Sequence, residues 1–146
     1  MEWTVLIALF FGGLLAGGEL VVRFGVRGPL ARLDPHSHIE MRQGLIRTLR
    51  VLVPILFALA LLSNIAAAVA AATPLRIGVV VLLLGFISVT LAGTVPINQA
   101  VSSWNPAAPP SGWKNTIRRW ERLDDWRTLL ATSAFALALS GAAVIR

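Results

Sequence analysis

Residues 77–101, IGVVVLLLGFISVTLAGTVPINQAV, contain no charged side chain. A helix needs about 20 consecutive apolar residues to cross a bilayer, so this stretch reads as a transmembrane helix. Three further apolar blocks, at 3–22, 51–72 and 128–145, have similar length and character. Together they occupy most of the 146 residues. The fold class that follows is all-α: a four-transmembrane-helix bundle in a single integral membrane domain, 1–146, with helices near 3–27, 35–72, 74–102 and 113–145.

Composition agrees. Hydrophobic residues make up 56% of the chain and charged residues 14%. Soluble domains carry about one quarter charged residues, and the mean hydropathy here is +0.75. A secreted enzyme and a disulfide scaffold are excluded by this pattern, and the absence of cysteine removes thiol chemistry as well. A net charge of +6 would suggest nucleic acid in a soluble protein. In a membrane protein it reads as loop charge that sets orientation, and no nucleic-acid partner is expected. The N-terminal block has an acid and no base before it and is longer than a signal-peptide core, so it reads as a retained helix.

The bases are unevenly placed. Following the chain through four spans puts Arg23, Arg27, Arg32, Arg42, Arg47, Arg50, Lys114, Arg118, Arg119, Arg122 and Arg127 at one end. Only Arg76 and Arg146 fall at the other. By the positive-inside rule the Arg-rich end faces the cytoplasm of an inner (cytoplasmic) membrane, and both termini lie outside. Asp34-Pro35 and Thr73-Pro74 are each an N-cap followed by a first-turn proline. Helix 2 begins at Pro35 and a helical pattern runs from Trp113 through Arg127, so helices 2 and 4 begin well before their apolar blocks and extend about 20 Å past the membrane at the Arg-rich end.

Several polar residues stand out. Glu19 lies inside the first apolar block, with Ala16 and Gly12 on the same helical face. A carboxylate there faces protein and usually marks function; an ion pair with Arg23 at i+4 is the other reading. His36 and His38, with Glu40 and Arg42, open helix 2. His36, His38 and Glu40 are candidate ligands for a metal such as copper or iron. Two histidines at i and i+2 diverge by about 200° on a helix, so both reach one ion only if the first turn unwinds. Pro96 should bend helix 3 and free the carbonyl of Ala92, beside Asn98, and Pro54 should bend helix 2 at similar depth. Arg127 shares a face with Trp120, Leu123 and Leu130 at the edge of the last apolar block, where a guanidinium can hold an anionic or phenolate oxygen or pair with Glu19. Trp104, Trp113, Trp120 and Trp126 form either an interfacial belt or the wall of a pocket for a flat apolar ligand. Glu19, His38, Arg42, Asn98 and Arg127 come from all four helices and converge on the Arg-rich end, the candidate catalytic group; Trp120, Trp104 and Pro96 are the candidate substrate contacts.

Three motifs carry a resemblance: Gly17-Gly18-Glu19-Leu20, Val95-Pro96-Ile97-Asn98, and Trp120 followed by Arg127-Thr128. They resemble a family of small four-helix membrane proteins, long of unknown function, whose characterised fungal members are anthrone oxygenases of polyketide biosynthesis. The resemblance implies oxidation of an aromatic, phenol-like carbon by O₂, without a recognisable flavin or haem motif. His36 and His38 match no family motif.

The first functional expectation is thus a membrane-embedded oxygenase-like enzyme acting on a hydrophobic aromatic small molecule. Glu19 or His38 would be the base, with Arg127 and Arg42 stabilising the oxyanion. The alternative is a non-enzymatic membrane protein that binds lipid or a protein partner through its Arg-rich end. A transporter would need several chains, and the Gly12, Gly13, Ala16, Gly17 surface of helix 1 is the expected homo-oligomer contact.

Overall fold

A computed structural model of the chain describes residues 3–144. Met1, Glu2, Ile145 and Arg146, and with them the charge expected at Arg146, lie outside the described residues. Among the described residues there are four long helices and no strand. These are α1 (Trp3–Ala31), α2 (Pro35–Ala70), α3 (Pro74–Ser102) and α4 (Trp113–Val144). The first helix runs one turn further than expected and the second ends two residues sooner. α1, α2 and α3 are long and apolar enough to cross a membrane. The apolar part of α4 starts at Thr128, and the helix ends at Val144. The caps form as expected. Asp34 accepts from the Ser37 amide at 3.1 Å, and Thr73 accepts from the Arg76 amide at 3.3 Å. Hydrogen bonding to Ser37 holds the exposed Asp34 carboxyl below its ordinary range.

α1 packs along α2 and α4, and α4 packs along α3. The central core joins Leu15 and Ala16 of α1, Phe57 and Ala60 of α2, Leu83 and Phe86 of α3, and Ala131 and Ala134 of α4. Outside this core the helices present large apolar side chains to the surroundings, such as Phe10, Ile55, Val81 and Leu129. That is the pattern of a bundle solvated by lipid.

Two helices are interrupted by wider π turns. Val22–Val26 in α1 closes with the Arg27 amide on the Val22 carbonyl. Thr90–Thr94 in α3 closes with the Val95 amide on the Thr90 carbonyl. Each turn sits just ahead of a proline, Pro29 or Pro96, whose ring would clash with a carbonyl four residues back in a regular helix. The distortion expected at Pro96 therefore takes the form of a π turn. Pro54 lies inside α2, which continues through it as helix from Pro35 to Ala70.

The π turn in α3 has a packing consequence. A Cβ on Gly78 would lie 2.9 Å from Leu137, on Gly85 3.4 Å from Leu130, and on Gly93 2.8 Å from Leu123. The leucines of α4 are spaced seven apart. The glycines of α3 are spaced seven and then eight, and the extra residue falls in the π turn. One inserted residue keeps the glycine seam facing α4 past the proline. Gly17 makes no close approach within the chain, since a Cβ there meets nothing within 4 Å. The tight contact of α1 is Gly13 against Phe135, at 3.2 Å. Gly12, Gly13 and Ala16 therefore face neighbours within the chain. Gly93→Leu should lower stability by roughly 1–3 kcal/mol through overpacking. Gly17→Leu should change it by less than about 0.5 kcal/mol. Unfolding both variants in the same detergent checks the pair, and equal losses would contradict this seam.

Candidate functional site

The inner stripe of α4 is where the bundle stops being apolar. Ile117, Trp120, Asp124, Arg127, Thr128, Ala131 and Ala134 are all buried, at helical spacings of three and four. The Arg-rich half of this stripe carries two charges, and each is met from a neighbouring helix.

The deeper charge is Arg127, 7% exposed. Its Nη2 donates to Glu19 Oε1 at 2.7 Å, and Glu19 is 5% exposed. The guanidinium also lies over the Phe86 ring at 4.9 Å. Phe86 stacks on Phe57, with centroids 5.4 Å apart. One ion pair thus ties α1 to α4, with the Phe86 ring of α3 under the guanidinium and Phe57 of α2 stacked on Phe86. The Glu19–Arg23 pair weighed as an alternative does not form. Arg23 instead pairs with Asp125, because the π turn that begins at Val22 changes the regular i,i+4 geometry.

One turn outward, Asp124 is 1% exposed. Arg27 Nη1 stands 3.5 Å from its Oδ2 and donates to Asp125 Oδ1 at 2.6 Å. Arg23, Arg42 and Arg127 also act on Asp124 electrostatically. Within this network four arginines, Arg23, Arg27, Arg42 and Arg127, balance four carboxylates, Glu19, Glu121, Asp124 and Asp125.

The outermost layer comes from α2. Arg42 is 6% exposed and lies over the Trp120 ring at 4.7 Å. His38, also buried, packs edge-on against Trp113 at 5.3 Å. Its Nδ1 is 2.9 Å from the Leu30 carbonyl. A carbonyl only accepts, so Nδ1 carries the hydrogen and Nε2 of the neutral ring carries the lone pair. That Nε2 is buried with no hydrogen-bond partner among the described residues. The same holds for Glu19 Oε2, Arg42 Nε, Trp120 Nε1, Arg127 Nε, Thr128 Oγ1 and both Asp124 oxygens. A buried polar atom without a partner typically costs 1–3 kcal/mol, and such atoms concentrate where ligands or ordered water bind.

The remaining candidates are placed differently. Trp104 is half-buried against the Ile97, Val101, Ile117 and Trp120 cluster. Asn98 is half-buried, and no side-chain hydrogen bond joins it to the charged group among the described residues. Pro96 is exposed on α3, and Trp126 is 59% exposed, which is a belt position. The metal set His36, His38 and Glu40 is corrected. His36 and Glu40 are exposed and 3.9 Å apart, while His38 points inward to Leu30. Among the described residues no group of three His, Asp or Glu gathers to hold a metal. The helix keeps its first turn, and a regular turn sends positions 36 and 38 to opposite faces.

Sequence reasoning missed Asp124 and Gln43. Asp124 lies in an Arg-rich segment of α4, and its spacing of four from Trp120 and from Thr128 is the available signal. Gln43 donates to the carbonyls of Val101 and Trp104, both at 2.9 Å, and so caps α3 from α2. No local pattern marks it, because its partners are about 60 residues away.

No curated protein and no solved structure matches the chain. One family pattern does, that described as Anthrone oxygenase, over residues 43–137. The matched segment takes in Asn98, Trp104, Trp120, Asp124, Arg127 and Thr128 and starts after His38 and Arg42. Glu19 and its motif also lie outside it. With more than half its length matched, and the polar stripe of α4 inside the match, the chain belongs to the anthrone oxygenase family.

Proposed function

We propose that the chain is a membrane-embedded oxygenase-like enzyme acting on a hydrophobic aromatic, phenol- or anthrone-like molecule at the Arg-rich mouth of the bundle. The observation that carries this reading is the buried set of unpartnered polar atoms contributed by α1, α2 and α4, in a chain whose family is named for that chemistry. His38 Nε2 would accept a proton from the activated ring carbon or its hydroxyl. Arg42, fixed over Trp120 with its Nε unpartnered, would donate to the oxyanion that develops. Glu19 would hold Arg127 in place for the same purpose. The electron-rich ring then reacts with O₂: a ring CH₂ loses both hydrogens, one oxygen atom becomes the carbonyl, and the other leaves as water.

Oxygen uptake by the purified protein in detergent micelles tests the proposal. On addition of 1,8-dihydroxy-9-anthrone, uptake and the matching quinone should rise well above the rate in empty micelles. Equal rates would overturn it. The exposed Arg47, Arg50, Arg118, Arg119 and Arg122 also suit an anionic leaflet. Lipid at that rim leaves the buried polar atoms unexplained, so the enzyme reading is preferred. The rim sets the topology we propose: reporter fusions at Arg32 and Pro110 should read cytoplasmic and a C-terminal fusion external, whereas a cytoplasmic C-terminus would reverse it.

A further inference from the structure

Three residues of the site with buried polar atoms that make no hydrogen bond lie on one line, although Asp124 is ion-paired with Arg27 at 3.5 Å. Trp120 Nε1, the Asp124 carboxylate and Thr128 Oγ1 sit at i, i+4 and i+8 of α4. The three residues are 9%, 1% and 5% exposed. Successive members of such a row are about 6 Å apart along the helix axis. Their chemistry is complementary rather than repeated. An indole N–H only donates, a carboxylate only accepts, and a threonine hydroxyl does either. Many Ser and Thr hydroxyls in these helices bond back to a carbonyl of their own helix, as Thr90 does to Phe86 at 2.8 Å and Thr132 to Thr128 at 2.7 Å. Thr128 makes no such bond, so its hydroxyl stays available on the inner face. Local geometry therefore does not satisfy this row.

Resting on the enzyme reading above, we propose that Trp120, Asp124 and Thr128 form a hydroxyl-recognising stripe that binds an uncharged, hydroxyl-bearing aromatic ring lengthwise along α4. A ring hydroxyl donates to Asp124. An oxygen further along the ring accepts from Trp120 Nε1, and a second hydroxyl or carbonyl meets Thr128. The ligand is uncharged because the arginines and carboxylates of the network already balance, and an added anion would leave one buried charge uncompensated. Trp120 has a double role, offering its face to Arg42 and its N–H to the ligand.

Binding decides this without turnover. The probes are 1,8-dihydroxyanthraquinone and unsubstituted anthraquinone, partitioned between protein-containing and empty micelles. The parent should prefer the hydroxylated ring by about tenfold or more, as two or more buried hydrogen bonds require. Trp120→Phe keeps the aromatic face for Arg42 and loses only the N–H. Thr128→Val loses only the hydroxyl. Each should cut the preference by about two- to tenfold. Asp124→Asn loses the charge-assisted acceptor and should cut it by about tenfold or more. If the asparagine variant does not fold, the other two still decide. Folded Trp120→Phe and Thr128→Val variants with the parent's preference would overturn the stripe. So would a parent that binds both rings equally, while leaving the ring-substrate reading in place. A parent that binds neither ring overturns both. A parent that shows the preference but consumes no oxygen supports the stripe and overturns only the enzyme reading.

Discussion

Replacing Arg127 with Met should cost roughly 3–5 kcal/mol of stability, the largest single loss expected in this chain. Methionine fills a similar volume and keeps contact with Phe86, so lost packing is a minor part. The cost arises because Glu19, 5% exposed, is left without the donor 2.7 Å away. Unfolding in detergent measures it. Glu19→Gln should behave differently. The amide oxygen can still accept from Arg127 Nη2, and Asp124 remains nearby to offset the guanidinium charge. That variant should lose only about 1–2 kcal/mol, close to one buried hydrogen bond. Glu19→Leu combined with Arg127→Met should recover much of the loss, since apolar replacement of both partners removes the uncompensated charge. A single Arg127→Met variant as stable as its parent would show that the pair holds nothing together. In activity, Glu19→Gln should be impaired if its charge orients Arg127 during the reaction; a folded variant with full turnover would remove Glu19 from the mechanism.

His38→Phe should reduce oxidation of 1,8-dihydroxy-9-anthrone by about 10²–10⁴-fold, the usual contribution of a positioned general base. Phenylalanine retains the edge contact to Trp113 and lacks the Nε2 lone pair. The Leu30 carbonyl loses its imidazole donor but keeps the Leu33 amide at 3.1 Å, so stability should fall little. Binding of the dihydroxyanthraquinone probe should stay within a few-fold of the parent, because the stripe on α4 is untouched. Turnover of a folded His38→Phe protein within threefold of the parent would contradict the role given to His38 and leave Glu19 Oε2 as the proton acceptor. A matched loss of binding and turnover would make His38 a packing residue.

The sequence by itself determined the four helices, three of them long and apolar enough to cross a membrane. Four apolar blocks can only be hidden from water in a bilayer or in one another, and the caps Asp34-Pro35 and Thr73-Pro74 set two helix starts through local hydrogen bonds. It also placed Glu19 and Arg127 on inward faces, because a lone charge beside small or apolar neighbours has nowhere else to go. The partner of Glu19 was not legible. Arg23 is four residues away and Arg127 more than a hundred, and only the packing of α1 on α4 chooses between them. The same holds for the glycine seam. Its spacing of seven and then eight is written in the chain, but its meaning depends on a π turn that lets Gly93 face Leu123. In the sequence Asp124 is one charge among many in an Arg-rich segment. What buries it is the arrival of Arg27 and Arg42 from other helices, and a local pattern cannot report which charges meet across a bundle. Sequence fixes which face of each helix is wet or dry, since that follows from its own periodicity. Tertiary structure decides which polar groups on the dry faces find one another, since that depends on how neighbouring helices are registered.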